Sequence, residues 1–213
     1  MVIRLGLSTA LCTVDDKLMA RAAKRDEVTN VLLELWSQPV SFSGQMALVQ
    51  GLCGKAAAEG RMAALFGDVA NDPRLRTEAS ICLVRQDGKR YHREVVALAE
   101  KSPSSLRERL FDELASPPHR LVSGVDPAVV RMGFALLLED ADKQKKAKQQ
   151  GQTVSDYAQF LYANRLNDYL GTTFEPDWKS PSYAGAEGRE RLYHDTTANA
   201  LQWWSEHRHE YTD

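Results

Sequence analysis

An all-α fold is predicted by three features of the 213-residue sequence. Apolar residues recur at spacings of three, four and seven along most of the chain, the repeat of a single helix face. Three dipeptides, Asp72-Pro73, Ser102-Pro103 and Asp126-Pro127, set a capping oxygen directly before a proline. Such an oxygen accepts from an orphan N–H at a helix start, and a proline there forgoes no bond it would have made. No sustained apolar/polar alternation with hairpin turns occurs, so a substantial β-sheet is not expected.

The elements follow in chain order. Leu18, Ala22, Val28, Val31, Leu32, Leu35 and Trp36 form a first stripe, and Pro39 ends it. Ser43 is placed to cap a second helix, striped by Leu48, Val49, Leu52, Cys53 and Ala56. Gly60 marks the break before Met62, Leu65, Phe66 and Val69. The proline starts then lead three stripes: Leu75, Ala79, Cys82, Leu83; Leu106, Leu110, Phe111, Leu114; and Val130, Phe134, Leu137, Leu138, Ala141. The turn signal Asp87-Gly88 introduces a helix over Tyr91 to Ala99. Each proline start is followed by an aliphatic-Arg pair, Leu75-Arg76, Leu106-Arg107 and Val130-Arg131. The arginine falls about 100° round the helix from the buried residue. From that edge its guanidinium is expected to reach a neighbouring carboxylate or free carbonyl.

Residues 140–153 carry Lys143, Lys145, Lys146, Lys148 and four glutamines, and are read as a solvated helix end and linker rather than an anion-binding patch. Ser155 is a possible cap for a helix striped by Ala158, Leu161, Tyr162, Leu166, Tyr169 and Leu170, which Gly171 terminates. An irregular segment, 172–188, precedes a last helix striped by Tyr193, Thr197, Ala200, Leu201, Trp204 and Tyr211. The expectation is one domain over 1–213, with a helical array at 15–141, a polar basic linker at 142–154 and C-terminal helices, a long loop and an aromatic cap at 155–213.

The stretch Asp72-Pro73-Arg74-Leu75-Arg76-Thr77-Glu78-Ala79 resembles the first helix of a HEAT-type repeat. Its aliphatic-Arg pairs are spaced 31 and 24 residues apart, shorter than the ~40–47 residues of a full repeat. Leu110 stands where the first copy has Ala79. Leu170-Gly171-x-x-Phe174, followed by Trp203-Trp204, is similar to the closing segment of small bacterial HEAT-like proteins. The resemblance implies an irregular HEAT-like array, an α-α superhelix with a C-terminal aromatic capping helix. A non-repeat helical bundle is the alternative.

Composition narrows function. With 27 Lys+Arg against 29 Asp+Glu, the net charge of −2 removes the basic excess of a nucleic-acid binder. No apolar run approaches the ~20 residues of a membrane helix. Cys12, Cys53 and Cys82 lack metal-ligand spacing and are expected as free thiols, a Cys53–Cys82 bridge remaining open if the protein is exported. Arg4 and the short run Leu5 to Cys12 only loosely mimic a signal peptide, so a cytoplasmic location is expected, with an exported or periplasmic one as alternative.

No cofactor or metal is expected, because His92, His119, His194, His207 and His209 form no ligand pattern. Gly51-Leu52-Cys53-Gly54-Lys55 is not a phosphate loop, since Val49 and Ala56 occupy the positions that need glycine and a hydroxyl. The expected function is therefore non-enzymatic: an α-helical protein-binding module acting as an adaptor, regulator or antitoxin/immunity-like inhibitor. Trp203 is its candidate anchor, on a polar face with Asn199 and His207; alternatively, the 172–188 segment covers that ring. The second function class is a small α-helical enzyme with a pocket between the bundle and 172–188, using His194, Asp195 and Trp178.

Overall fold

The computed structural model describes residues 26–117 and 124–212. Cys12, Leu18, Ala22, the Arg4 segment and His119 lie outside the described residues. Among those described are nine α-helices and no strand. They are α1 (Asp26–Trp36), α2 (Phe42–Leu52), α3 (Glu59–Gly67), α4 (Pro73–Gln86), α5 (Gly88–Glu100), α6 (Ser104–Leu114), α7 (Pro127–Gln149), α8 (Tyr157–Leu170) and α9 (Gly185–His207). Short 3-10 turns occur at Ala56–Ala58, Pro181–Tyr183 and Arg208–Glu210. No helix among the described residues is long and apolar enough to cross a membrane. The chain divides into two compact units, 1–95 and 96–213.

The first unit is built on aliphatic side chains. α4 packs on both α2 and α3, burying Val49, Leu52, Met62, Leu75, Ala79 and Leu83. Each large aliphatic group removed from water contributes about 1.5–3 kcal/mol. Ser41, not Ser43, caps α2, its hydroxyl accepting from the Gly44 N–H at 3.3 Å. The break before α3 lies at Gly54, in the left-handed region at φ +77°; Gly60 sits within α3. α3 therefore ends at Gly67, leaving Val69 outside it and 80% exposed.

Cys53 and Cys82 are disulfide-bonded, with Cα atoms 5.0 Å apart. The expectation of free thiols fails for this pair because the end of α2 packs on the middle of α4, bringing two stripe positions together. Nearby, Glu59 accepts from Arg90 Nη1 at 2.6 Å, from the Tyr91 hydroxyl at 2.8 Å and from Gln86 Nε2 at 3.3 Å. Burial and this bond to Glu59 push the Tyr91 hydroxyl pKa up.

The second unit has an aromatic core. α7 packs on α6 and α8, and α8 on α9, enclosing Leu110, Phe111, Phe134, Leu137, Leu166 and Tyr169. Gly133 permits the closest approach: a Cβ there would lie 2.6 Å from Phe111 Cε2 and 2.7 Å from Leu166 Cδ2. The Tyr169 hydroxyl donates to Gly124 O at 3.2 Å and accepts from Asp126 N at 2.8 Å, tying α8 to the start of α7.

Two of the three proline starts cap as expected. Asp72 accepts from Arg74 N and Asp126 from Ala128 N, each at 2.8 Å, with proline at the helix start. At the third, α6 begins only at Ser104 and Pro103 precedes it; the Ser102 hydroxyl instead donates back to Leu98 O at 2.8 Å. Each paired arginine reaches another element. Arg76 Nε donates to Phe66 O at 2.9 Å, Arg107 Nη2 to Glu139 Oε1 at 2.6 Å and Arg131 Nη1 to Tyr211 O at 2.6 Å.

The stretch expected as a linker is largely helical. Residues 142–149 continue α7, because Lys and Gln are good helix formers, and Gly151 at φ +75° follows the helix end. Tyr157 N donates to the Ser155 hydroxyl at 3.3 Å, so Ser155 holds the entry to α8 from just outside it. Gly171 ends α8 in the left-handed conformation, φ +69°, and α9 begins at Gly185, ahead of its expected stripe.

Candidate functional site

Asn199, Trp203 and His207 are brought together, spaced by one helical turn along α9. Trp203 and His207 are half-buried, and Asn199 is exposed. Trp203 is half-buried and stacks on Phe134 at 5.8 Å and on the His207 ring at 4.5 Å, with Phe174 tilted against it at 5.7 Å. Asn199 Nδ2 donates to Phe174 O at 2.9 Å, pinning the start of the 172–188 segment, and His207 Nδ1 donates to Trp203 O at 2.9 Å. Trp204, one residue on, also stacks on Phe134, at 4.4 Å. The two indoles can share one phenyl ring because it is large enough to be reached by neighbours about 100° apart on the helix. The tryptophan left open is Trp178, 59% exposed beneath Lys179.

Of the second trio, two members meet. The Asp195 carboxylate accepts from His194 Nδ1 at 3.1 Å and from the Tyr183 hydroxyl at 2.9 Å. The bond from His194 is the main reason the Asp195 carboxyl is held below its ordinary range, and the bond to Asp195 is the main reason Tyr183 is raised. Trp178 is not part of this arrangement.

His194 lines a solvent-open cavity of about 570 Å³ among α7, α8 and α9. The cavity lies among these helices and not beneath the 172–188 segment, none of whose residues lines it. Its wall includes Gln144, Gln159 and Thr197, all buried, and its rim Lys145 and Lys148, both exposed. Lys148 is paired with Asp156 at 3.1 Å.

A second concavity, about 300 Å³, runs between α6 and α8. Leu161, 47% exposed, and Ala158 supply its apolar surface. Glu108, Asp112, Asp168 and Arg165 surround it, with Arg165 3.6 Å from Asp112. Tyr162 is strongly raised, first by burial and then by its hydrogen bond to Glu108. Asn164 Oδ1 is buried here without a hydrogen-bond partner.

Among the described residues, no group of three or more His, Cys, Asp or Glu could hold a metal ion. No protein-family model matches the chain, and neither a curated protein nor a solved structure is significantly similar to it.

The cavity wall was missed in the sequence for a definable reason. Gln144 sits a helical step from Leu137 and Ala141, and Gln159 from Ala163 and Leu166, so both are polar residues at apolar stripe positions. A glutamine at such a position is the signal of a polar interior, and in 140–153 the surrounding lysines masked it.

Proposed function

We propose that the protein is a non-enzymatic α-helical binding module, and that the groove between α6 and α8 receives a basic segment of a protein partner. The observation that carries this reading is the acidic rim around an exposed leucine. Glu108 and Asp112 line the groove beside Leu161, so a partner helix with an apolar anchor and flanking Lys or Arg is complementary in shape and charge. An adaptor, a regulator and an antitoxin-like inhibitor all use such a seat. The HEAT-like character belongs to the same proposal, supported by the three arginines that each brace a neighbouring element. The Cys53–Cys82 bond supports an oxidising compartment, and with it the exported alternative over the cytoplasmic one.

Fluorescence anisotropy with a labelled amphipathic Leu/Lys peptide tests the proposal. Saturable binding is expected, weakened about tenfold or more by Leu161→Glu or Asp112→Lys and progressively by salt. Equal binding of the Leu/Glu analogue, or indifference to both substitutions in folded protein, would overturn it.

A further inference from the structure

We infer that the chain associates with copies of itself head to tail, the α6–α8 groove of one copy receiving the outer face of α7 of the next. This rests on the groove's proposed role as the seat of a helix with an apolar anchor and flanking lysines. α7 is itself such a helix. Leu138 is 45% exposed on it. Asp142, Lys145 and Gln149, all exposed, continue from Leu138 at spacings of four, three and four, which keeps them on one face. Lys146, also exposed, borders that line. The seat on the other copy is Leu161, 47% exposed, with Ala158 beside it.

Charge and geometry favour a second copy as the occupant. The groove sets Glu108, Asp112 and Arg165 around its leucine, and the α7 face sets Lys145, Lys146 and Asp142 beyond its own. Each sign on one surface has its opposite on the other, the pattern that fixes register in an interface. Lys148, already engaged with Asp156 at 3.1 Å, is not needed. The two surfaces do not meet within one chain. Gly133 turns toward α6 and α8, since a Cβ there would touch Phe111 and Leu166. Leu138 lies about 140° round the helix from Gly133, so its face points away from the groove. One copy therefore presents both surfaces at once, and the contact joins unlike patches. Such a contact propagates into a chain of copies or closes into a ring. A leucine pair with its charges makes a small interface, so the association is weak and concentration-dependent.

Sedimentation velocity of the full chain, from micromolar to millimolar protein, reads the association directly. Mean mass is expected to grow with concentration and to fall as salt is raised or as the amphipathic Leu/Lys peptide competes for the groove. Leu138→Glu and Leu161→Glu, both at exposed positions, should fold and each weaken association about tenfold or more. Mixed together they should recover it as a one-to-one dimer that grows no further, because each keeps the surface the other has lost. Lys145→Glu with Lys146→Glu takes the place of Leu138→Glu should that variant not fold. A native chain that stays monomeric at millimolar concentration overturns the inference; if it still binds the Leu/Lys peptide, the groove serves a different protein and the proposed function stands. Self-association of this kind also fails if either folded variant associates like the native chain, or if the mixed variants remain monomeric.

Discussion

The two units solve the same packing problem with different materials. In residues 26–95 the core is aliphatic, a disulfide joins α2 to α4, and Glu59 gathers three donors from the region of α4 and α5. In residues 96–212 the core is aromatic, and buried polar atoms of Gln144, Asn164, Thr196 and Thr197 lack partners. The first unit has its polar groups tied to one another and its chain crosslinked. The second holds buried polar atoms that make no hydrogen bond. The difference places the crosslink and a tied polar cluster in one half of the sequence, and the unpaired buried polar atoms in the other.

The sharpest way to break that comparison is to remove the crosslink. A disulfide closing a 29-residue separation contributes about 3–4 kcal/mol by loop-closure entropy. Cys53→Ala with Cys82→Ala, or reduction of the native protein, should lower stability by that order. Amide exchange should quicken chiefly in α2 and α4. Equal loosening of α7 and α8 would show that the rigidity is not local.

A smaller effect, in the other unit, comes from Gly133→Ala. The added methyl meets Phe111 and Leu166 at 2.6–2.7 Å, and such overpacking costs about 1–3 kcal/mol. A lowered Tm with faster exchange in α6 to α8 is expected. An unchanged Tm would mean that the aromatic core yields more readily than its close packing indicates.

The smallest expected effect is electrostatic. The Ser104 hydroxyl, and then the Arg107 guanidinium, hold the Glu139 carboxyl below its ordinary value of 4.5. A carboxyl lowered by folding stabilises the protein above that unfolded value, and the contribution disappears as pH falls through the folded one. Acid titration of stability should therefore be shallower in Glu139→Gln. The difference should stay below about 1 kcal/mol, because the Glu139 side chain is 36% exposed. An identical acid limb in the variant would remove this pair from the account.

What could be read in advance followed from local chemistry. Asp72 and Asp126 cap their helices because the proline after each admits few other geometries, and Gly171 ends α8 because a left-handed residue is needed there. The reach of Arg76, Arg107 and Arg131 followed from helix geometry alone. Tertiary choices were not legible in the same way. Leu138 and Leu161 belong to apolar stripes, yet they are 45% and 47% exposed, because a stripe wider than its neighbour leaves an edge uncovered. Trp203 shares a face of α9 with Asn199 and His207, but its stacking on Phe134 depends on a helix some seventy positions earlier. The cysteine pair was equally hidden, since 29 residues of chain separate its members and only the α2–α4 contact brings them together.

The stacking of Trp203 and Trp204 on Phe134 has a practical consequence. Two of the four tryptophans sit in one fixed aromatic stack, while Trp178 stands in solvent. Rigid asymmetric surroundings give indoles their near-ultraviolet dichroism, and loss of specific packing abolishes it even where helix content survives. The end of α9 thus carries an intrinsic optical gauge of tertiary order. Its signal distinguishes a chain that has merely coiled from one whose last helix has docked.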